Sequence, residues 1–215
     1  MAQQPESTKR MAVSALAQLA SNCVQCGLAS TRTQVVFGDG NPDGPLLIVG
    51  EGPGMNEDLE GRPFVGRAGQ LLDECLAEQT IDRRHIFITN VVRCRPTLRQ
   101  EKSVRNRPPT PEEISACLPW LQQTIAIIRP LVILCLGAPS AKTIIKPDFR
   151  ITQERGQWFS NDYAPNIIAS WHPSYVMRMH GDAYSTARAQ LVGDIAAARQ
   201  RVKDARRNQA PLQEG

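Results

Sequence analysis

Pro45-Leu-Leu-Ile-Val-Gly50, followed at once by Glu51-Gly-Pro-Gly54, is the stretch that decides the fold of this chain. A short, continuously apolar segment bounded by Pro and Gly predicts a strand buried on both faces. Further strands are predicted at 85–92, 131–136 and 166–170, and helices at 66–79, 111–128, 137–145 and 183–203. Strands that alternate with helices of this length predict an α/β fold, a three-layer α/β/α sandwich around a central, mostly parallel, four-stranded sheet.

Length and composition favour one compact domain. The 215 residues are 41% hydrophobic, enough for one substantial core but short for two full-sized domains. We expect this domain to occupy 23–203, after a polar segment and short helix at 1–22 and before a disordered tail at 204–215. The sequence contains no apolar run of the ~20 residues that span a bilayer, and its start lacks a signal-peptide core. We therefore expect a cytoplasmic monomer with no membrane partner.

The unusual segments of the chain all follow predicted strands, at 50–66, 90–107 and 171–178. In open parallel sheets, ligands bind in the crevice beyond the carboxyl ends of the strands. The glycines at 50, 52 and 54 let the backbone approach a ligand closely, and Glu51 adds one carboxylate. Considered alone, this loop fits a tight turn with a solvated Glu equally well.

Positive charge is concentrated in one of these segments, although the formal net charge is only +4. Residues 93–107 contain six basic side chains and one acid, a composition that suits binding to a phosphate backbone. A solvated loop that contacts nothing is an alternative that charge alone does not exclude.

Six cysteines without an export signal favour metal binding over disulfides, because cytosolic thiols stay reduced. Cys23 and Cys26 form a C-x-x-C pair, and Cys94 and Cys117 follow at a distance. From spacing alone, four such thiolates fit a [4Fe–4S] cluster and a structural zinc ion equally well. The other two lie within apolar helix and strand patterns and are expected to be buried structural residues: Cys75 and Cys135.

Three sequence blocks resemble the family 4 uracil-DNA glycosylases. The first is the loop at 50–54 with its continuation Gly61-Arg-Pro-Phe-Val-Gly-Arg-Ala-Gly69. The second is Thr89-Asn-Val-Val-Arg-Cys-Arg-Pro96, and the third is Trp171-His-Pro-Ser-Tyr175. The similarity extends from 23 to about 195. It implies an enzyme that flips uracil out of DNA and hydrolyses its N-glycosidic bond, which leaves an abasic site for base excision repair.

The resemblance implies roles for the residues of the candidate pocket. Phe64 would stack on the extruded base, and Asn90 would read its edge with one donor and one acceptor. Glu57 would occupy the space beside C5 of the base and so exclude thymine. Glu51 would stabilise the cation-like sugar and position a water, while His172 would donate a hydrogen bond to the departing uracil oxygen. The implied substrate-binding set is Gly52, Glu57, Phe64 and Asn90.

The resemblance also implies a surface that contacts uracil-containing DNA, single- or double-stranded. The loop after His172 would press on the DNA, and a large apolar side chain would fill the gap that the flipped nucleotide leaves. Val176 and Met177 are both candidates for this wedge. The complete set of expected DNA-binding residues is Arg67, Arg105, Arg107, Ser174, Val176, Met177 and Arg178.

For the cysteines, the resemblance favours iron over zinc. Cys23, Cys26, Cys94 and Cys117 would ligate a [4Fe–4S] cluster. The cluster would tie the amino-terminal segment to the loop after Asn90 and so brace the DNA-facing surface.

One departure from the family pattern concerns the interval between Cys94 and Cys117, which holds 22 residues (95–116) and is longer than in many members. This length resembles a branch that traps uracil-DNA covalently through a histidine in a basic loop. The comparable position here is Asn106, and an amide is a poor nucleophile, so we expect ordinary turnover. A catalytically silent DNA-binding protein and a glycosylase for other deaminated bases stay open as alternatives.

Overall fold

The computed structural model describes residues 7–101 and 103–209. Within these ranges the strands are β1 (Asp39–Gly40), β2 (Leu46–Gly50), β3 (Phe87–Asn90), β4 (Thr97–Gln100), β5 (Ser103–Asn106), β6 (Val132–Leu136), β7 (Trp158–Asn161) and β8 (Ala164–Ser170). The α-helices are α1 (Thr8–Ser21), α2 (Met55–Glu60), α3 (Arg67–Glu78), α4 (Pro111–Ile128), α5 (Ala138–Ile144), α6 (Ile151–Glu154), α7 (Pro173–Val176) and α8 (Gly181–Gln209).

Six strands form the main sheet, in the order β1-β3-β2-β6-β8-β7. The four central strands are parallel, and β1 and β7 add antiparallel edges. The α/β class and the mostly parallel centre of the sheet are therefore confirmed, but the sheet contains six strands instead of the expected four. The missed strands are a two-residue segment and a half-exposed edge strand, and neither forms an apolar run.

Helices cover both faces of the sheet. Along β2, Leu47 and Val49 belong to the core under α1, α4 and α5, whereas Leu46 and Ile48 belong to the core under α3, α7 and α8. This alternation follows from the two-residue period of a strand. Both cores are continuous across the central strands, as expected for a parallel sheet buried on its two faces.

The register of the central strands sets the geometry of their carboxyl ends. Gly50 of β2 pairs with Asn90 of β3, and Leu136 of β6 pairs with Ser170 of β8. The loops that follow these residues therefore leave the sheet at one edge, next to one another.

A buried ion pair fixes α8 to the end of β8. Arg155 Nη1 donates to both carboxylate oxygens of Asp194, at 2.8 and 2.6 Å. Ser170 Oγ donates to the same carboxylate at 2.5 Å. Because Ser170 is the last residue of β8, the pair fixes the strand end from which the loop at 171–178 departs.

Two segments differ from the sequence-based expectations. The basic stretch, expected to be a loop, contains the β4–β5 hairpin, in which Leu98 pairs with Arg105. The disordered tail expected from 204 onward is wrong for 204–209, because α8 continues to Gln209. Val202 is buried one turn earlier, and Ala, Arg and Gln are good helix formers. The rest of that tail, and the start of the segment 1–22 before α1, lie outside the described residues.

None of the helices in the described ranges is both long and apolar enough to cross a bilayer.

Candidate active site and cysteine cavity

A large open pocket lies at the carboxyl ends of β2, β3 and β8. All three unusual sequence segments contribute to its wall. It brings together predicted substrate-binding, catalytic and DNA-binding residues, namely Glu51, Gly52, Glu57, Phe64, Arg67, Asn90, Arg107, His172, Ser174 and Arg178.

Phe64 and Asn90 form the floor of the pocket beside Gly50. A Cβ on Gly50 would overlap Asn90 Oδ1 and lie 2.6 Å from Phe64 Cζ, so only glycine leaves room for both side chains. Asn90 is 2% exposed, and among the described residues no side chain or backbone group bonds its amide. The amide donor and acceptor therefore stay available to a ligand.

The backbone of Phe64 is held in an unfavourable conformation. Its φ of 54° lies in the left-handed region, which is rare for a bulky residue. Arg83 stabilises it by donating to the carbonyls of Phe64 (2.9 Å) and Pro63 (2.7 Å). Gly69 permits it, because a Cβ there would overlap the Phe64 carbonyl oxygen. The sequence did not reveal the role of Arg83, because this residue lies in the short 3-10 helix after α3 and belongs to no motif.

His172 presents one ring nitrogen to the pocket. Its Nδ1 accepts a hydrogen bond from the Ser174 backbone N–H at 3.1 Å and lies 2.7 Å from Ser174 Oγ. An Nδ1 that accepts from an N–H carries no proton, so the neutral ring holds its proton on Nε2. Burial, with a smaller contribution from the charge of Arg178, lowers the pKa of His172 to about 4. The ring centroid is 5.5 Å from that of Phe64.

Glu51 is half-buried at the mouth of the pocket. Burial raises the pKa of its carboxyl above the usual value, and the nearby charge of Arg178 partly opposes this shift. At neutral pH the site therefore holds a carboxylate and a neutral imidazole. Next to Glu51, a Cβ on Gly52 would lie 2.7 Å from Val92 Cγ2.

Glu57 organises two loops as well as lining the pocket. One carboxylate oxygen accepts from the backbone N–H of Gly54 at 3.0 Å. The other accepts from the N–H groups of Val65 (2.9 Å) and Gly66 (2.8 Å). These bonds join the glycine loop after β2 to the start of α3 and fix the carboxylate rigidly. The sequence did not reveal this second role.

The expectation that Val176 contacts DNA is wrong. The side chain is 0% exposed and packs in the core beneath α3 and α8, because the single turn of α7 directs it inward. Met177, the other wedge candidate, is half-buried at the surface. Tyr175 stacks on Trp171, with ring centroids 4.6 Å apart. Arg178 is exposed beside the pocket.

The predicted cations differ in their freedom to bind a phosphate. Arg67 and Arg105 are exposed. Arg107 is not free, since it donates to both carboxylate oxygens of Glu113 (2.7 and 2.6 Å) and to the carbonyls of Thr97 and Pro108 (both 3.0 Å). Its role in the structure is therefore to attach the β4–β5 hairpin to the first turn of α4.

A second, small cavity brings together the four cysteines predicted as ligands: Cys23, Cys26, Cys94 and Cys117. Two cationic residues, Arg32 and Arg93, also line it. Cys94 and Cys117 are buried, and Cys23 and Cys26 are half-buried. The remaining two cysteines are buried in the two cores, as expected: Cys75 and Cys135.

The donor chemistry of this cavity suits a metal group. Burial raises the pKa of the Cys94 thiol to about 11, so a thiolate there requires a positively charged partner. Among the described residues, no three His, Cys, Asp or Glu side chains lie close enough to hold a single metal ion. A cluster of several iron and sulfide ions spans a larger volume than one ion, and all four cysteines line one cavity.

Comparison with known proteins assigns the chain to a family. The profile of the Uracil DNA glycosylase superfamily matches residues 37–196, more than half of the chain. A type-4 uracil-DNA glycosylase of Thermotoga maritima is 42% identical over 172 residues, which cover 80% of this chain and 86% of the relative. Type-4 enzymes of Pyrobaculum aerophilum and Archaeoglobus fulgidus are 41% and 39% identical over 170 and 163 residues, covering 76% and 73% of this chain and 83% and 78% of theirs. The chain therefore belongs to the uracil DNA glycosylase superfamily, and within it to the type-4 uracil-DNA glycosylases.

Proposed function

We propose that this protein hydrolyses the N-glycosidic bond of uracil in DNA and so begins base excision repair, acting as a cytoplasmic monomer. The observation that carries the proposal is the convergence of Glu51, Phe64, Asn90 and His172 on one pocket. An aromatic ring, a free amide, a carboxylate and a neutral imidazole are what excision of a flipped pyrimidine requires.

Base recognition begins with extrusion of the nucleotide, which costs roughly a few kcal/mol because stacking and pairing are lost. The Phe64 ring replaces part of the lost stacking, since its strained backbone is already held in place by Arg83. The Asn90 amide donates to a uracil carbonyl and accepts from the adjacent N–H. Cytosine presents the reverse arrangement at this edge and binds less well. Glu57, fixed by three backbone amides, excludes the methyl group of thymine.

Bond cleavage moves an electron pair from the C1′–N1 bond onto uracil and leaves a cation-like sugar. Glu51 stabilises the positive charge on the sugar and orients the water that attacks C1′. His172 donates from Nε2–H to the uracil oxygen on which negative charge develops. A neutral imidazole suits this role because the Ser174 N–H fixes its tautomer before substrate arrives.

DNA contact is proposed for the residues around the pocket mouth. Arg67, Arg105 and Arg178 are exposed cations suited to phosphates, and Ser174, in α7, lines the pocket. Met177 is the wedge candidate whose side chain is partly exposed. Arg107 supports the hairpin that carries Arg105.

We also propose that Cys23, Cys26, Cys94 and Cys117 hold a [4Fe–4S] cluster. The cavity that all four cysteines line supports this cofactor. Such a cluster joins the segment after α1 to the segment after β3 and to α4, and contributes folding free energy.

The first prediction concerns the catalytic pair. Glu51→Gln and His172→Ala should each reduce the rate of uracil excision by about 10²–10³-fold, because each removes a group that acts on charge in the transition state. Single-turnover assays on matched oligonucleotides with U, T, hypoxanthine or xanthine measure the rate and the base preference. Glu60→Gln and His85→Ala, exposed and outside the pocket, are the matched controls. Near-normal excision by both pocket variants would reject these roles, and an SDS-resistant adduct would reject ordinary turnover.

The second prediction concerns the charge of His172. We expect NMR of labelled histidines, with His172→Ala for assignment, to show the Nε2–H tautomer at neutral pH and a pKa of about 4. Because the folded pKa lies below the unfolded value of about 6.5, the unfolded chain binds the proton first. The contribution of neutral His172 to stability is thus complete above that value and decreases as the pH falls toward 4. A charged ring at pH 6 would contradict the neutral donor.

The third prediction separates the two wedge candidates. Met177→Ala should reduce excision from duplex DNA roughly tenfold relative to single strands, because a wedge matters only where a gap must be filled. Val176→Ala should instead lower the unfolding free energy by about 2 kcal/mol, since it creates a buried void. Thermal melts measure the loss of stability, and excision assays on matched duplex and single-stranded substrates measure the effect of the wedge. Equal losses on both substrates by Met177→Ala would contradict the wedge.

The fourth prediction tests the cofactor. Purified protein should contain iron and inorganic sulfide and be brown, and Cys23→Ser should lose both with a lower melting temperature. Cys75→Ala is the control, because that buried cysteine lies in the other core and should leave the iron content unchanged. Zinc in place of iron in the wild-type protein would overturn the proposed cluster.

A further inference from the structure

Arg93 is a buried cation for which the described part of the chain supplies no carboxylate. It is 1% exposed and is the largest of the fully buried side chains. None of the ion pairs within 7–101 and 103–209 includes it. A buried unpaired charge is strongly unfavourable, so a compensating negative group is expected next to it.

The neutral contacts of Arg93 do not replace a counter-charge. Its Nη1 donates to the Phe37 carbonyl at 2.6 Å, and its Nη2 donates to Thr124 Oγ1 at 3.0 Å. The guanidinium carbon lies 4.7 Å from the centroid of the Phe37 ring. The Nε atom is buried without a hydrogen-bond partner among the described residues. Dipoles and an aromatic face thus surround the cation, and one of its donors is unused.

A partly buried arginine shows how the protein compensates a cation elsewhere. Arg155 lies on the opposite face of the sheet and forms its ion pair with Asp194, whose side chain is only 8% exposed. The contrast indicates that the partner of Arg93 is a group other than a carboxylate.

The thiols that line the cysteine cavity are the candidate partner. Arg93 itself lines that cavity. Its backbone N–H donates to Cys117 Sγ at 3.3 Å, and the next residue in the chain is Cys94. Four thiolates carry four negative charges, and the iron and sulfide of a [4Fe–4S] core neutralise only some of them, so the assembled cluster is an anion.

We propose that Arg93 is the buried counter-cation of this cluster. The inference rests on the proposed cofactor. The arginine stabilises the thiolate-bound cluster, and the cluster in turn compensates the buried arginine. Arg32 is a weaker second cation, since it is half-buried and its Nη1 lies 3.6 Å from Cys94 Sγ.

A counter-cation has a consequence that a merely structural arginine lacks. The reduced cluster carries one more negative charge than the oxidised cluster, so a nearby cation favours reduction. Removing the charge should make the cluster harder to reduce. If Arg93 only held Phe37 and Thr124 in place through hydrogen bonds, the reduction potential would not depend on its charge.

The test compares Arg93→Met and Arg93→Gln, which remove the charge, with Arg93→Lys, which keeps it. Iron and sulfide content and the midpoint potential, from spectroelectrochemistry of the full chain, are the readouts. In both neutral variants we expect the ratio of reduced to oxidised cluster at a fixed potential to fall roughly tenfold, about 59 mV for a one-electron couple. Arg93→Lys should shift the ratio much less. Arg155→Met is the control, with a lower melting temperature and the wild-type potential.

The outcomes are separable from those of the cofactor itself. Wild-type protein without iron would overturn the cofactor and the inference together. Iron-loaded wild type with neutral variants at the wild-type potential would overturn only the role of Arg93. If the neutral variants do not hold the cluster, retention of iron by Arg93→Lys supports the role, and loss of iron in that variant too would overturn it.

A second measurement uses the coupling between the two partners. Removing the iron with a chelator should lower the melting temperature of the wild type more than that of Arg93→Met, because only the wild type is left with an uncompensated buried cation. Equal decreases in the two proteins would contradict the coupling.

Discussion

The parallel pairing of Gly50 with Asn90 is the constraint on which the site depends. Because of this pairing the two strands end at the same level, and the loops that follow Gly50 and Asn90 leave the sheet side by side. The absence of a Cβ at Gly50 leaves the space that the Asn90 amide and the Phe64 ring occupy. Asn90 is consequently fixed by the end of a strand, and Phe64, in the loop before α3, is fixed by the hydrogen bonds from Arg83. A pocket that must discriminate between bases needs its rigidity at these two positions.

Electrostatics of the pocket follow from this placement. Glu51 and His172 are both partly withdrawn from water, and burial acts on them in opposite senses. The pKa of the carboxyl rises and that of the imidazole falls, while Arg178 favours the carboxylate and further disfavours an imidazolium. At neutral pH the result is one anion and one neutral donor. Charge separation in a breaking glycosidic bond calls for these two groups on opposite sides of the bond.

Much of the fold could be predicted from the sequence because the central strands are continuous apolar runs and α4 carries a complete capping box. The edge strands, the β4–β5 hairpin and the end of α8 could not, because their residues are half-exposed or charged. Within the site, motifs identified which residues meet, but not what each one does. Glu57, Arg107 and Val176 illustrate the limit, since partners distant in sequence decide whether a side chain is free, paired or buried.

The active site and the cysteine cavity are linked by five consecutive buried residues, from Asn90 through Val91, Val92 and Arg93 to Cys94. The N–H groups of Val91 and Val92 donate to the carbonyls of Gly50 and Glu51, so this segment also fixes the glycine loop. One end of the segment therefore carries the residue proposed to read the base, and the other end carries a proposed ligand of the cluster. The intervening residues are buried and tightly packed, so a displacement of Cys94 would be transmitted toward Asn90 instead of being absorbed between them.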